Sequence, residues 1–276
     1  MGKFFVLLVL ILVFSLLAVA ACSAPKPKEG SNLNAEPSSG DERLTGGTTF
    51  SRNSNGNRPL SGSPYGYEMW TEGGNNNKLI WYGPDQGGGA AFRAEWNNPN
   101  DFLGRVGLFW NEGKPYANYN NLYCDFKYTR SDRNTAGDYS YIGIYGWSKN
   151  PLIEYYIVED WFGNRWQSDV LPITTNTTGG TVQGSFTVDG SLYRVIKSTR
   201  VNKPSIEGTT TFEQYFSIRQ SPRKSGTISI TEHFKEWEKM GLKLGTNMYE
   251  AKFLVEAGGG TGWFDASYLS FYQKDE

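Results

Sequence analysis

The stretch Tyr-Gly-Trp-Ser-Lys-Asn-Pro-Leu-Ile-Glu-Tyr-Tyr-Ile-Val-Glu, residues 145–159, decides the fold of this sequence. Its second half is rich in β-branched and aromatic residues, which predicts a β-strand. Side chains alternate along a strand, so Glu154 and Tyr156 share one face while Tyr155 and its apolar neighbours share the other. A carboxylate beside phenol hydroxyls suits carbohydrate, whose hydroxyls need hydrogen-bond partners. A surface glutamate on an ordinary strand is the alternative, and only a second acid can decide between them.

Residues 253–258 supply a candidate for that second acid. They form another short apolar run that carries Glu256, and the consecutive glycines at 258–260 close it. Because Glu256 lies far from Glu154 in the chain, only a folded sheet can bring the two together. Hydrolysis of a glycosidic bond uses two carboxyl groups, and a spacing of about 5–5.5 Å gives retention while a wider pair gives inversion. Taken alone, Glu256 also fits a surface charge at the end of a strand.

The rest of the chain predicts an all-β fold. It contains 16 Phe, 17 Tyr, 9 Trp and 33 Gly, and short β-forming runs alternate with Gly, Asn and Asp turns. This pattern is typical of an antiparallel sandwich or barrel, and Asp189-Gly190 predicts a hairpin turn. The predicted strands cover residues 79–82, 90–96, 104–110, 122–128, 184–188, 191–198, 212–219, 227–231 and 251–256.

One segment departs from the β pattern. Residues 231–240 carry Phe234 and Trp237 at helical spacing among charged residues, and Gly241 follows as a C-terminal cap. We expect a single amphipathic helix packed on the outside of the sheet. His233, which lies within it, is expected to be structural rather than catalytic.

The amino-terminal part of the chain predicts export. Residues 4–21 form a nearly unbroken apolar run behind Lys3, so residues 1–21 are interpreted as a signal peptide. A retained membrane helix and plain secretion are the alternatives. Residues 22–61 are polar and predict a flexible linker, which leaves residues 62–276 as the folded domain. Cys124 is then the one cysteine of that domain, and we expect it to be a buried small hydrophobe.

Composition excludes several other functions. His233 is the one histidine, and the sequence has neither a cysteine cluster nor an aspartate-rich calcium loop, so we expect no metal and no cofactor. The sequence also lacks a glycine-rich phosphate-binding loop. A net charge of −1 argues against nucleic acid as a partner.

The motif at residues 145–159 resembles the nucleophile strand of glycoside hydrolase family 11 xylanases. Other motifs match that family in the same order along the chain, from about residue 62 to residue 272. They are the strand 67–73 with Trp70, the thumb hairpin with Arg200 and residues 204–208, residues 211–215 and 217–221, and the helix with His233 and Trp237. Cys22, after Val19-Ala20-Ala21, resembles the lipid-attachment cysteine of bacterial lipoproteins.

The resemblance implies a fold and an activity. The fold is a β-jelly roll of two twisted antiparallel sheets, shaped like a partly closed right hand, with a single α-helix. The activity is hydrolysis of internal β-1,4-xylosidic bonds in xylan by a retaining endo-1,4-β-xylanase. Glu154 is the implied nucleophile and Glu256 the acid/base. Asp101 matches a position beside the acid/base where aspartate accompanies an acidic pH optimum.

The resemblance also implies substrate-binding residues and a location. The binding residues are Trp70, Tyr145, Tyr156, Arg200, Pro204, Ser205, Ile206 and Gln214. We expect an exported monomer that is held at a bacterial cell surface or membrane by a lipid on Cys22, or else secreted. A non-catalytic carbohydrate-binding lipoprotein on the same fold is the rival interpretation.

Three departures from the family pattern stand near these residues. Glu256 is followed by Ala257-Gly258 where the family has Gly-Tyr, and Phe216 stands where tryptophan is common. Glu250 and Lys252 share the face of Glu256, which makes that wall more charged. They are expected either to perturb Glu256 or to lie at the rim of the cleft.

Overall fold

The computed structural model of the protein describes residues 43–51, 54–131, 139–162 and 180–275. Within these ranges the chain forms strands and one α-helix, with short 3₁₀ turns at Gly87–Gly89 and Tyr116–Asn118. The helix is α1 (Ile230–Lys239). The strands are β1 (Thr48–Ser51), β2 (Ser54–Pro59), β3 (Gly66–Gly73), β4 (Lys78–Trp81), β5 (Phe92–Asn97), β6 (Pro99–Phe109), β7 (Asn121–Arg130), β8 (Tyr139–Lys149), β9 (Ile153–Asp160), β10 (Thr181–Val188), β11 (Ser191–Ser205), β12 (Gly208–Arg219), β13 (Ser225–Ser229), β14 (Asn247–Gly258) and β15 (Thr261–Lys274).

The strands form two sheets. The smaller sheet has the order β1-β4-β5-β15-β7-β13, and the larger has the order β10-β11-β12-β9-β8-β14-β6-β3-β2. Neighbouring strands are antiparallel, as the sequence pattern predicted, except that β12 pairs with β9 in parallel. The chain leaves β9, forms the β10–β11 hairpin and returns in β12, which supplies the long crossover that a parallel pair needs.

Strand β9 shows why the sheets pack face to face. Ile153, Tyr155 and Ile157 are buried in the core between the sheets. Glu154 and Tyr156 lie on the opposite face, and Tyr156 belongs there to a second, smaller aromatic cluster. The alternation predicted for residues 153–157 is therefore confirmed. The two packed sheets and the one helix of the described residues form a β-jelly roll.

The helix and its neighbours agree with the sequence pattern. Helix α1 begins one residue before the predicted start, and Gly241 follows it with a φ of 79°. Phe234 and Trp237 are buried, and Trp237 Nε1 donates a hydrogen bond to Ser217 Oγ at 2.8 Å. His233 is fully buried among aromatic rings, and burial lowers its pKa to about 3.

Two smaller predictions are also confirmed. Asp189 and Gly190 join β10 to β11 with φ values of 51° and 68°, the positive values that a two-residue hairpin requires. Cys124 is a free, fully buried thiol.

The predicted linker ends earlier than residue 61. Strand β1 pairs with β4, and β2 pairs with β3 at the edge of the larger sheet. Phe50 stacks on Tyr67 with ring centroids 3.8 Å apart, and Arg43 forms an ion pair with Asp265 at 2.9 Å. The prediction was wrong here because a polar composition does not prevent a strand from pairing its backbone along an exposed edge.

The predicted signal peptide and Cys22 lie outside the described residues. Among the residues that are described, no helix has the length and apolar character needed to cross a bilayer.

Candidate active site

The larger sheet forms a cleft with a volume of about 610 Å³ on the face that points away from the core. Strands from opposite ends of the chain line it, because the order β12-β9-β8-β14-β6-β3 makes them neighbours. All eleven predicted cleft residues lie in its wall: Trp70, Asp101, Tyr145, Glu154, Tyr156, Arg200, Pro204, Ser205, Ile206, Gln214 and Glu256. The sheet therefore brings together residues that are far apart in sequence.

Glu154 is held by hydrogen-bond donors on both of its oxygens. Tyr145 Oη donates to Oε1 at 2.7 Å from strand β8. Gln214 Nε2 donates to Oε2 from β12, where Gln214 is the direct ladder partner of Glu154. Burial raises the pKa of Glu154, while these donors and the charge of Arg200 act to lower it. The donors stabilise the ionised carboxylate.

Glu256 favours its protonated form more strongly than Glu154 does. It lies on β14, where 5% of its surface is exposed. Burial raises its pKa well above the ordinary range, and the charges of Asp101 and Glu154 raise it further. Glu256 Oε2 lies 3.3 Å from Tyr156 Oη, which also lies 3.2 Å from Glu154 Oε1. One hydroxyl thus contacts both carboxyl groups.

Asp101 lies on β6, at the same end of the cleft as Glu256. Its pKa is raised to about 7, chiefly by burial and also by the charges of Glu72 and Glu154, while a hydrogen bond from Tyr139 opposes the rise. Its Oδ1 is buried without a hydrogen-bond partner. The charge of Asp101 raises the pKa of Glu256, so the two titrations are coupled.

Trp70 and the thumb hairpin form opposite walls of the cleft. Trp70 lies on β3, in the same row as Leu103 of β6 and Glu256 of β14. Across the cleft, β11 and β12 extend to Ser205 and Gly208, where Ser205 Oγ donates to the Gly208 carbonyl at 2.6 Å. The thumb tip is therefore a closed turn that faces the tryptophan wall.

The structure explains why a glycine stands at position 258, two residues after Glu256. Gly258 is the ladder partner of Tyr139, and a Cβ at position 258 would lie 2.6 Å from Tyr139 Cδ1. The Tyr139 ring occupies the space beside β14 that a side chain on residue 258 would need. Tyr139 lines the cleft and was missed by the sequence analysis. The alternation of Tyr139, Tyr141 and Tyr145 along one strand face was the available signal.

The structure also shows how the other two departures from the family pattern are packed. Phe216 stacks on Tyr156 with ring centroids 4.5 Å apart and planes inclined by 11°. Glu250 and Lys252 are fully buried and paired with each other, so the expectation that they lie at the rim is wrong. Arg105, which the sequence analysis did not single out, lies beside them and lines the cleft.

Within the described part of the chain, no three His, Cys, Asp or Glu side chains are grouped so that they could hold a metal ion. The polar groups that line the cleft are carboxyl groups, phenols, the amides of Asn100 and Gln214, the guanidinium groups of Arg105 and Arg200, the Lys203 ammonium and the Ser205 hydroxyl.

Comparisons with known proteins agree with this geometry. The family model described as glycosyl hydrolases family 11 matches residues 63–267. Endo-1,4-beta-xylanase C of Fibrobacter succinogenes is 47% identical over 215 residues, which cover 78% of this chain and 32% of that protein. Endo-1,4-beta-xylanase S20 of Neocallimastix patriciarum is 43% identical over 230 residues, covering 83% of this chain and 64% of that protein. The chain thus spans about a third to two thirds of the length of these relatives.

Solved structures are similar over a larger share. The crystal structure of ENZbleach xylanase wild type is 66% identical with a TM-score of 0.81, and the match covers 89% of this chain and 94% of that one. A variant of the same xylanase with five substitutions has a TM-score of 0.82 and the same identity, covering 90% and 94%. Sequence and fold therefore point to the same family.

Proposed function

Because the chain belongs to glycosyl hydrolases family 11, we propose that it is an endo-1,4-β-xylanase that cleaves internal bonds of xylan with retention of configuration. Glu154 is the nucleophile and Glu256 is the acid/base. Trp70 stacks on a sugar ring, while Tyr145, Tyr156, Arg200 and Gln214 supply hydrogen bonds, and Pro204, Ser205 and Ile206 close over the chain.

The position of the Tyr156 hydroxyl carries the proposal. It lies within hydrogen-bond distance of Glu154 Oε1 and Glu256 Oε2. A phenol has one proton, so it can donate to Glu154 and still bond Glu256 only when Glu256 donates its own proton to the phenol oxygen. This arrangement favours an ionised Glu154 beside a protonated Glu256. A contact shared by the two carboxyl groups is compatible with the spacing of about 5–5.5 Å that retaining enzymes use.

In the first step, a carboxylate oxygen of Glu154 forms a bond to the anomeric carbon as the bond to the leaving sugar breaks. Glu256 gives its proton to the departing oxygen. The negative charge of Glu154 disappears in the resulting ester. Since that charge helped to raise the pKa of Glu256, Glu256 can then ionise and act as a base.

In the second step, Glu256 takes a proton from water, whose oxygen forms a bond to the anomeric carbon. The bond to Glu154 breaks, and its electron pair returns to the carboxylate. Donors from Tyr145 and Gln214 stabilise the carboxylate as it leaves. Two inversions at the same carbon give net retention.

We further propose that the enzyme works best at acidic pH. Asp101 has a pKa of about 7 and is therefore protonated in acidic solution. When Asp101 ionises, its charge binds the Glu256 proton more tightly, so Glu256 becomes a weaker donor to the leaving group. Activity is expected to fall as pH rises through this ionisation.

The direct test is release of reducing sugar from xylan by the full chain. We expect activity in the wild type and a loss of at least about a thousandfold in Glu154→Ala and Glu256→Gln. Xylan binding without release of reducing sugar by the wild type would instead support the carbohydrate-binding alternative. Activity that survives Glu154→Ala would refute the assignment of the nucleophile.

Export with a lipid on Cys22 is proposed from the apolar run at residues 4–21 and the small residues before the cysteine. Its test is metabolic labelling of the full chain with radioactive palmitate in a bacterial host. We expect the wild type to be labelled and Cys22→Ala to be unlabelled. Equal labelling of the two would contradict the proposal.

A further inference from the structure

A cluster of four charged residues, three of them buried and the fourth half-buried, lies next to the catalytic face. Glu68 comes from β3, Arg105 from β6, and Glu250 and Lys252 from β14. Glu250 and Lys252 are fully buried, and 3% of the Arg105 surface is exposed. Arg105 Nη2 pairs with Glu68 and lies 3.2 Å from Glu250 Oε1, while Lys252 pairs with Glu250. The two carboxylates and two cations balance in charge.

Stability alone is a weak explanation for this cluster. Removing charges from water costs several kcal/mol per ion, and well-packed apolar residues of similar volume are often as stable or more so. The pairing is also incomplete, because Arg105 Nε is buried without a hydrogen-bond partner. Glu68 and Glu250 both contact Nη2 of the Arg105 guanidinium. The two carboxylates thereby fix the position of the Arg105 guanidinium relative to the side chain beside it.

The group beside Arg105 is the ring of Tyr145. Arg105 Cζ lies 4.4 Å from the centroid of that ring, within the range of a cation–π contact. Tyr145 is 2% exposed, and its Oη accepts a hydrogen bond from Trp147 Nε1 and donates one to Glu154 Oε1 at 2.7 Å. A single aromatic ring thus separates the guanidinium from the proposed nucleophile.

We propose that Arg105 is a positioning residue that fixes Tyr145 and strengthens the hydrogen bond from Tyr145 to Glu154. A cation on the ring face draws electron density from the phenol, so its hydroxyl becomes a better donor. A better donor stabilises Glu154 more when the bond to the sugar breaks and the electron pair returns to the carboxylate. The inference rests on the proposed function, in which Glu154 is the nucleophile.

The charged groups that interact directly with Glu154 come from strands other than its own strand β9. Arg200 on β11 lowers its pKa, and Glu256 on β14 and Asp101 on β6 interact with its charge. Arg105 contributes to Glu154 through Tyr145, whose pKa it lowers, and its charge also lowers the pKa of Glu256. Removing Arg105 should therefore change Glu154 mainly while the Tyr145 hydroxyl is present.

A double-mutant cycle tests this dependence. kcat and KM are measured on a 4-nitrophenyl xylooligosaccharide for Arg105→Met in the wild-type and Tyr145→Phe backgrounds. We expect kcat to fall about tenfold in the wild-type background, with KM within about twofold, and less than about twofold with Phe at 145. Equal losses in both backgrounds would overturn the proposal. If Arg105→Met does not fold, as judged by its melting curve, the neutral variant Arg105→Gln takes its place under the same criteria.

Lys252→Met provides a matched control, because it removes the other cation of the cluster. We expect it to lower the melting temperature but to leave kcat within about twofold of the wild type. A loss of kcat equal to that of Arg105→Met would mean that the cluster is only structural and would overturn the proposal.

A second readout does not depend on xylan cleavage. The carboxyl carbon of Glu154 is titrated by NMR in protein labelled with ¹³C-glutamate, with Glu154→Gln used to assign the signal. We expect Arg105→Met to raise the pKa of Glu154 because the donor from Tyr145 weakens. An unchanged pKa would overturn the inference, whereas a wild type inactive on xylan would contradict the proposed function alone.

Discussion

At the residue level, three carboxyl groups in one cleft differ in the partners that each one has. Glu154 accepts hydrogen bonds from Tyr145 and Gln214, which favour its ionised form. Burial favours the protonated forms of the other two, and neighbouring charge adds to it: Asp101 and Glu154 act on Glu256, and Glu72 and Glu154 act on Asp101. The difference in proton affinity gives each carboxyl group a distinct part in the proposed reaction.

Asp101→Asn should move the pH optimum of kcat/KM to higher pH. The substitution removes the group whose ionisation near neutral pH is proposed to limit activity, while the acidic limb, which we assign to the raised pKa of Glu154, should stay in place. The measurement is a pH profile for both proteins. Glu72→Gln is the control: it removes a charge that raises the pKa of Asp101, so it should shift the alkaline limb slightly downward. An unshifted optimum in Asp101→Asn would contradict the account.

The sequence predicted the residues that lie in strong local patterns, and it missed those that act across strands. Glu154 and Glu256 stand within alternating apolar runs and were found from them. Tyr139 and Arg105 were not found, because their partners are Gly258 on β14 and Tyr145 on β8. Such contacts depend on strand order, which a single sequence does not display.

At the element level, β8 and β14 pack together because a large side chain on β8 lies opposite a glycine on β14. Tyr139 occupies the space beside Gly258, so the residue after Ala257 cannot carry a Cβ without a clash. This fit places the Tyr139 hydroxyl where it can donate to Asp101. The glycine at 258 is thus required by the ring of Tyr139 on the neighbouring strand.

Gly258→Ala should destabilise the protein by about 1–3 kcal/mol, because the new methyl group overlaps the Tyr139 ring. Urea unfolding of the single variant gives this value. In a Tyr139→Ser background the ring is absent, so the same change should cost less than about 0.5 kcal/mol. The same loss in both backgrounds would show that the tyrosine is not the cause.

Strands were predictable where alternation was regular and less so where it was interrupted. Strand β15 (Thr261–Lys274) was not predicted. A register shift between Ala266 and Tyr268 breaks its alternation. The parallel pairing of β12 with β9 was also not predicted, because it depends on the path of the chain between them.

At the scale of the whole molecule, the fold holds a neutral histidine in an apolar site. His233 is fully buried, and neither ring nitrogen has a hydrogen-bond partner. Burial and the charges of Arg223 and Arg219 lower its pKa to about 3. The unfolded chain can bind a proton here below its ordinary value of 6.5, and the folded chain cannot. Stability is therefore lost as pH falls from about 6.5 toward 3.

His233→Phe should reduce this acid sensitivity. At pH 4.5 the histidine is expected to cost the wild type roughly 2–3 kcal/mol relative to pH 7, and the variant avoids that cost. Urea unfolding of both proteins at the two pH values measures the difference. Identical losses on acidification would contradict the assignment. The fold class and the helix were predictable from composition and periodicity, but the ion pairs and this buried site were not.

The central claim is that Glu154 forms a covalent bond to the sugar. The most direct measurement is trapping with an activated 2-deoxy-2-fluoro xylobioside, followed by mass spectrometry of the digested protein. The fluorine slows both steps and the good leaving group speeds the first, so the intermediate accumulates. The account predicts one added glycosyl group, on the peptide that contains Glu154. A glycosyl group on Glu256, or unlabelled protein that still hydrolyses xylan, would contradict it.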